Sequence, residues 1–180
     1  PDGPIECGSS GPRTTQCLGV PFARAARWRR PEPPAPWRSV RPATKAGPMC
    51  LQPWCYGGAQ WGGGNLTKRL TRDCSEECLL LNIWAPSRPL GGAGYPVVVW
   101  IHGGGFESGG SGAAWGHNGT QHVEASGGEV IWVSIAYRLN VFGFLGAAEL
   151  RARDALGSTG NYGLQDQREA LRWVQRSIGS

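Results

Sequence analysis

Hydrophobic positions divide this chain of 180 residues into an irregular first part and an ordered second part, with the change near Cys78. Three short apolar runs follow that point, at residues 79–84, 97–101 and 130–137. Their lengths and their β-branched and aromatic residues predict strands. The last two runs are apolar on both faces, which is typical of strands inside a sheet that is covered on both sides.

Helical spacing is visible near the end of the sequence, where charged residues and glutamines occupy the opposite face. The apolar positions with this spacing are Leu164, Ala170, Leu171, Val174 and Ile178. The pattern predicts an amphipathic helix that Thr159 or Asn161 could cap. A shorter helix is predicted within residues 120–126, and residues 149–159 are predicted to form a polar loop.

The first part of the chain has little apolar periodicity. Residues 1–23 predict a short hairpin that turns at residues 8–11 and is closed by a bridge between Cys7 and Cys17. Residues 24–48 are rich in proline and predict an irregular belt over the core, anchored by Trp28 and Trp37. Residues 49–78 predict a tethered surface loop.

A run of three glycines follows the apolar strand at residues 97–101. The strand stops at His102, and Gly103, Gly104 and Gly105 come next. Because glycine has no side chain, its N–H groups can closely approach an anionic oxygen and stabilise the negative charge. The alternative is an ordinary glycine-rich turn between two strands. His102 is interpreted as a structural histidine hydrogen-bonded under this loop.

Charge and length narrow the classes of function. Only two of the 18 basic residues are lysines, and the densest arginine cluster, at residues 24–30, is interrupted by Trp28. A solvated basic surface explains this cluster better than a nucleic-acid site does, so no nucleic-acid partner is expected. The longest apolar run is far too short to span a bilayer, so no stable membrane insertion is expected. The length suits one domain.

The chain has six cysteines, an even number that favours disulfides. A four-thiolate zinc site is the rival interpretation, because Cys50 and Cys55 form one closely spaced pair and Cys74 and Cys78 form another. The spacing within each pair is wider than usual for zinc, and the glycine-rich segment between the pairs lacks a zinc-ribbon strand pattern. We therefore favour disulfides and expect no metal.

Two glycosylation sequons accompany these cysteines. They are Asn65-Leu66-Thr67 and Asn118-Gly119-Thr120. Together with disulfides, sequons at Asn65 and Asn118 predict a protein of the secretory pathway or the extracellular space. No signal peptide is visible in this sequence, which does not begin with Met.

A series of motifs runs in order along nearly the whole chain. They are Leu-Gly-Val-Pro-Phe-Ala at 18–23, Pro-Trp at 36–37, Cys-Leu-Gln at 50–52, Ser-Glu-Glu-Cys-Leu-Leu-Leu-Asn-Ile-Trp at 75–84, Val-Trp-Ile-His-Gly-Gly-Gly-Phe at 99–106, Tyr-Arg-Leu-Asn-Val-Phe-Gly-Phe-Leu at 137–145, Gly-Asn-Tyr-Gly-Leu at 160–164 and Asp-Gln-Arg at 166–168. In this order they resemble the type-B carboxylesterase and cholinesterase family of α/β-hydrolases. The resemblance implies that residues 1–180 are the N-terminal part of one such domain, an incomplete mixed sheet with flanking helices.

The resemblance implies a serine hydrolase that cleaves small-molecule carboxylic esters through an acyl-enzyme, with no cofactor. The backbone N–H groups of Gly104 and Gly105 would then form part of the oxyanion hole. No serine here has glycine at both positions two residues away, so the Gly-x-Ser-x-Gly elbow is absent. The catalytic acid and histidine are also expected outside this chain, since His117 and His122 lie in a polar connection without a nucleophile. These 180 residues are therefore expected to be inactive alone.

The resemblance also implies a disulfide between Cys50 and Cys78, inside which a nested bridge between Cys55 and Cys74 is a hypothesis. One departure lies in the glycine loop, where Glu107 replaces the Tyr or Met that often follows Phe106. The alternative function is that of a non-catalytic binding or adhesion protein with a cholinesterase-like domain. The intact glycine loop favours an enzyme, and the sequence leaves the oligomeric state open.

Overall fold

The structure, a computed structural model, describes residues 2–56, 74–88, 94–112 and 118–179. A five-stranded mixed sheet with helices on both faces confirms the α/β fold class. The strands are β1 (Ile5–Glu6), β2 (Gly8–Ser9), β3 (Thr14–Pro21), β4 (Arg41–Pro42), β5 (Met49–Cys50), β6 (Cys74–Ser75), β7 (Leu80–Pro86), β8 (Val97–Ile101) and β9 (Ile131–Ile135). The helices are α1 (Thr120–Ala125), α2 (Asn140–Phe144), α3 (Ala148–Ala152) and α4 (Tyr162–Ser177), and Pro53–Tyr56 forms a 3₁₀ turn.

The central sheet has the strand order β2-β3-β7-β9-β8. Its first four strands are antiparallel neighbours, whereas β8 runs parallel to β9 and places Ile101 opposite Ile135. The runs predicted as strands correspond to β7, β8 and β9, with ends that differ by at most two residues. The parallel pair β8 and β9 brings two carboxyl ends to the same edge of the sheet.

Alternating side chains of the strands fill a core on each face of the sheet. On one face, Leu81 and Val133 belong to the same buried cluster as Val174 of α4. On the opposite face, Trp84 is buried near α1, whose Val123 is also fully buried. Full burial of each such side chain contributes about 1.5–3 kcal/mol to folding. No helix among the described residues combines the length and hydrophobicity needed to cross a bilayer.

Strand β8 differs from the prediction that it is covered on both sides. Among the described residues it pairs only with β9, so it lies at the edge of the sheet. Trp100 is 38% exposed, and Val98 and Ile101 are each 39% exposed. An apolar sequence predicts a strand that favours burial, but the neighbours of that strand decide how much of it is covered.

Two short helices were not predicted. Helix α2 occupies an apolar run to which the sequence assigned no element, and α3 lies in the region predicted as a loop. Single-turn helices are too short to show a hydrophobic period. Helix α4 is confirmed, with Asn161 at the predicted cap position but without a side-chain capping bond. The Thr159 hydroxyl instead accepts a hydrogen bond from the N–H of Ala147 at 3.3 Å.

A buried ion pair fastens α4 to the end of β9. Arg138 donates from Nε to Oδ2 of Asp166 at 2.8 Å and from its NH2 group to Oδ1 at 2.7 Å. The backbone N–H of Arg138 also donates to Oδ2 at 3.0 Å. Asp166 is fully buried, and this burial raises its pKa while the hydrogen bonds from Arg138 oppose the rise. These hydrogen bonds therefore replace the ones that Arg138 and Asp166 make with water in the unfolded chain.

Replacing Arg138 by Met should lower the free energy of unfolding by about 3–5 kcal/mol, because Asp166 stays buried without its cation. The double variant Arg138→Met/Asp166→Leu should recover most of this loss, since no buried charge is left unpaired. Arg172→Met is the control, because Arg172 is exposed and pairs with Glu169 at 3.6 Å. Urea unfolding measures all three variants. Equal losses for Arg138→Met and Arg172→Met would contradict this interpretation.

Candidate active site

The glycine loop begins where β8 ends. In α/β sheets, ligands bind at the carboxyl ends of parallel strands. His102 directly follows β8, and Tyr137 lies two residues beyond the end of β9. The parallel pairing of these strands therefore brings the two side chains together at the edge where a ligand is expected.

His102 is locked beneath the loop. It is 3% exposed, and its ring stacks on that of Tyr137 with centroids 4.3 Å apart. Its Nδ1 lies 2.9 Å from the carbonyl oxygen of Gly103, and the Tyr137 hydroxyl donates to the His102 carbonyl oxygen at 2.8 Å. Burial raises the pKa of Tyr137, which keeps this hydroxyl protonated as a donor. These contacts agree with the structural role predicted for His102.

The loop has a backbone shape that favours glycine. Gly104 has φ +117° and Gly105 has φ +63°. The carbonyl oxygen of Gly104 accepts hydrogen bonds from the N–H groups of Glu107 and Ser108, each at 3.1 Å. A Cβ on Gly104 would overlap the carbonyl oxygen of Ser108. Phe106 also has a left-handed backbone, with φ +63°, so the strain extends beyond the glycines.

Two glycines of this loop can present their backbone N–H groups to a ligand. Gly104 and Gly105 are exposed. Within the described part of the chain, no carbonyl or side chain accepts a hydrogen bond from the N–H of either residue. N–H donors fixed in this way suit an oxygen that becomes negatively charged during a reaction.

The side-chain amide of Gln52 and the backbone N–H of Asn140 hold the rest of the loop in place. The Gln52 amide makes two hydrogen bonds with the backbone of Gly109. The N–H of Asn140 donates to the carbonyl oxygen of Phe106 at 2.7 Å, and its Nδ2 donates to that of Leu51 at 2.9 Å. Gln52 and Asn140 belong to two of the sequence motifs, but the motifs indicate no role for either residue. The only feature of the sequence that points to a role for Gln52 is its position, as a polar residue between Cys50 and Cys55.

A shallow cavity of about 540 Å³ lies beside the loop. Phe106, Val141 and Phe144 make much of its wall apolar, and Gly105 and Glu107 lie at its loop side. The rings of Phe106 and Phe144 are 4.9 Å apart. This arrangement places an apolar surface next to exposed N–H donors.

All six cysteines form disulfides, so the rival zinc site is wrong for this structure. Cys7 pairs with Cys17, Cys50 with Cys78, and Cys55 with Cys74. The Cys7–Cys17 bridge crosses the predicted hairpin, formed here by β2 and β3. The other two bridges fasten the segment that carries Gln52. Among the described residues, no cluster of His, Cys, Asp or Glu could hold a metal ion.

The arginine cluster is engaged within the chain. Arg24 pairs with Glu32 at 3.5 Å, and Arg27 pairs with Glu76. Arg30 pairs with Asp154 at 2.6 Å, and this hydrogen bond holds the pKa of Asp154 well below its usual range. These internal partners fit a structural surface better than a phosphate-binding one.

The remaining predicted residues lie away from the loop or outside the described residues. Asn118 is exposed, and its Oδ1 accepts a hydrogen bond from the N–H of Thr120 at 3.0 Å. His122 is exposed on α1 and stacks on Trp132 with ring centroids 3.8 Å apart. Asn65 and His117 lie outside the described residues.

Gly104→Ala should lower the free energy of unfolding by about 1–3 kcal/mol, because alanine would be forced into a left-handed conformation and against Ser108. Gly103→Ala is the matched control, since no atom lies within 4 Å of a Cβ built there. We expect the control to stay within about 0.5 kcal/mol of the parent protein. Denaturant unfolding compares the two variants, and a harmless Gly104→Ala would show that the loop adopts another shape.

Comparison with known proteins places these features in a family context. The model of the carboxylesterase family matches residues 5–180. The chain is 38% identical over 167 residues to a fumonisin B1 esterase of Sphingopyxis macrogoltabida, covering 89% of this chain and 28% of that protein. It is 39% identical over 179 residues to an acetylcholinesterase of Bungarus fasciatus, covering 89% and 25%. The chain thus spans less than a third of the length of these relatives.

Solved structures show the same fold. The Aspergillus niger esterase EstA matches with a TM-score of 0.75 and 30% identity, over 97% of this chain and 31% of that one. A thermophilic pNB esterase matches with a TM-score of 0.76 and 32% identity, over 98% and 34%. The sheet and helices of this chain therefore have the α/β-hydrolase architecture of these enzymes.

Proposed function

We propose, because this chain belongs to the carboxylesterase family, that residues 1–180 are the N-terminal part of one serine-esterase domain and supply its oxyanion hole. The single observation that carries this proposal is that Gly104 and Gly105 are exposed and that their N–H groups have no acceptor among the described residues. They lie at the carboxyl edge of the sheet, on a loop whose backbone favours glycine.

The proposed reaction makes direct use of these donors. A serine oxygen attacks the ester carbonyl carbon, and the electron pair of the carbonyl bond moves onto the carbonyl oxygen. The N–H groups of Gly104 and Gly105 stabilise this oxyanion, and each such donor lowers the barrier by about 3 kcal/mol. Collapse of the intermediate releases the alcohol and leaves an acyl-enzyme, which water then hydrolyses. No cofactor takes part.

The attacking serine is proposed to come from sequence outside these residues. Residues 1–180 contain no Gly-x-Ser-x-Gly elbow. His102 is occupied in holding the loop, so we assign the general base to a histidine outside residues 1–180 as well. Phe106, Val141 and Phe144 form an apolar wall beside the loop. This wall supports the proposal that the substrate is a small-molecule ester with an apolar portion next to the reacting carbonyl.

The intact protein should hydrolyse a small aryl ester and lose this activity when a fluorophosphonate reacts with its serine. Residues 1–180 alone should show neither property. Gly105→Ala in the intact protein should lower kcat by about 100-fold, because alanine disfavours the left-handed backbone there and the change displaces one oxyanion donor. Gly103→Ala is the control and should keep most of the activity. An inactive intact protein with a substituted elbow serine would instead support the binding function.

We also infer that the protein passes through an oxidising compartment, because three disulfides brace the described chain. Asn118 and Asn65 are the proposed glycan acceptors. The exposed side chain of Asn118 makes it accessible.

Protein purified from its native host without reductant should resist thiol alkylation at all six cysteines. It should also lose mass on treatment with a peptide amidase that removes N-glycans. Asn118→Gln should remove one glycan from the intact mass, whereas Asn140→Gln, outside any sequon, should not. Alkylation of Cys55 and Cys74 in the unreduced protein would reject the nested bridge.

A further inference from the structure

Gln52 makes an unusually complete set of hydrogen bonds for a side chain outside the glycine loop. It is 2% exposed, and its Nε2 donates to the carbonyl oxygens of Gly109 at 2.7 Å and Cys50 at 3.1 Å. Its Oε1 accepts from the N–H of Gly109 at 2.9 Å. Both amide hydrogens and the amide oxygen are therefore used, and two of the three bonds fix one glycine.

Gly109 packs against the beginning of the glycine loop. It has φ +128°, and a Cβ at this position would overlap the ring of His102 and lie 2.6 Å from the carbonyl oxygen of Gly103. The two ends of the loop therefore touch through bare backbone. Any movement of Gly109 changes the support of the residues that precede the two N–H donors.

Two disulfides brace the backbone on either side of Gln52. Cys50 and Cys55, on either side of it, are buried and bridged to Cys78 and Cys74. The backbone N–H of Gln52 also lies 3.3 Å from Sγ of Cys55. Its amide therefore projects from a backbone segment with little freedom to shift.

We propose that Gln52 is a positioning residue that holds the N–H groups of Gly104 and Gly105 in place by clamping Gly109 to the disulfide-braced segment. The catalytic part of this statement rests on the proposed esterase function. Gln52 does not contact the oxyanion. It acts through Gly109, and Gln52→Met removes its three hydrogen bonds while keeping a side chain of similar volume.

The first test measures oxyanion stabilisation in the intact protein. A trifluoromethyl ketone accepts the serine oxygen at its carbonyl carbon, the serine proton passes to the general base, and the ketone oxygen becomes an oxyanion. The matching methyl ketone binds largely without this addition. We expect Gln52→Met to weaken the binding of the trifluoromethyl ketone by about 10- to 100-fold and to lower kcat by a similar factor. The inhibition constant of the methyl ketone and the KM for the ester should change by less than about threefold. Neither depends on the oxyanion, and the other contacts with the ligand are retained.

The second test does not depend on activity. Hydrogen exchange in the intact protein should be at least about tenfold faster in Gln52→Met for the amides of residues 103–109, because their local opening becomes easier. The amides of β7 and β9 should exchange at the parent rate. Gln52→Glu keeps the acceptor for the Gly109 N–H but loses the donor to the carbonyl oxygens of Gly109 and Cys50, so it should also speed this exchange. Gln175→Ala on the exposed face of α4 is the control and should show none.

The outcomes separate this proposal from the esterase proposal. Faster exchange of residues 103–109 in a protein without hydrolase activity supports the clamp and rejects the esterase function. Parent values for both the exchange and the ratio of the two ketone constants would overturn the clamp. Equal loss of protection in β7, β9 and the loop would also overturn it, because Gln52 would then support the fold as a whole. If Gln52→Met does not fold, the same criteria apply to Gln52→Glu.

Discussion

Parallel pairing of β8 and β9 is the constraint on which the glycine loop depends. Because the two strands run in the same direction, His102 and Tyr137 leave the sheet at the same edge and stack there. The Tyr137 hydroxyl then holds the carbonyl of His102, from which the glycines continue. An antiparallel partner would put Tyr137 at the opposite edge and leave the loop without this support.

The four residues that follow Ala136 connect the candidate site to the rest of the molecule. Tyr137 supports His102, Arg138 binds Asp166 of α4, and Asn140 holds both Phe106 and the segment with Gln52. One short stretch therefore joins a helix, the glycine loop and the disulfide-braced segment. Each connection uses a different kind of hydrogen bond, and those of Tyr137 and Arg138 are buried, where an unpaired polar group is costly.

In the proposed function, the glycine loop supplies part of the oxyanion hole, and the nucleophile comes from sequence outside residues 1–180. Rigid donors can stabilise a negative charge without reorganising during the reaction, which is why their geometry matters more than their number. Left-handed glycines, a stacked histidine and a clamping amide all serve this rigidity here. The cavity beside Phe106 adds an apolar surface next to the loop, and Glu107 lies on its loop side.

The sequence by itself determined the strands β7, β8 and β9, the long helix α4, the glycine loop and the family of the protein. These features are carried by local patterns, such as short apolar runs, helical spacing and a glycine triplet in a series of ordered motifs. It also indicated the three cysteine pairs that the structure forms: Cys7–Cys17 through a hairpin, Cys50–Cys78 through family resemblance, and Cys55–Cys74 as a hypothesis of a bridge nested inside that one. The one-turn helices α2 and α3 were missed because a single turn has no period to detect.

Only the tertiary structure decided which residues support the site. The pairing of Arg138 with Asp166, the clamp of Gln52 on Gly109 and the edge position of β8 each join residues that lie far apart in sequence or depend on neighbouring strands. A single sequence specifies the chemistry of each side chain, but the partner is chosen by packing and burial. For the same reason the glycines were visible from the sequence, whereas the contacts that make their backbone rigid were not.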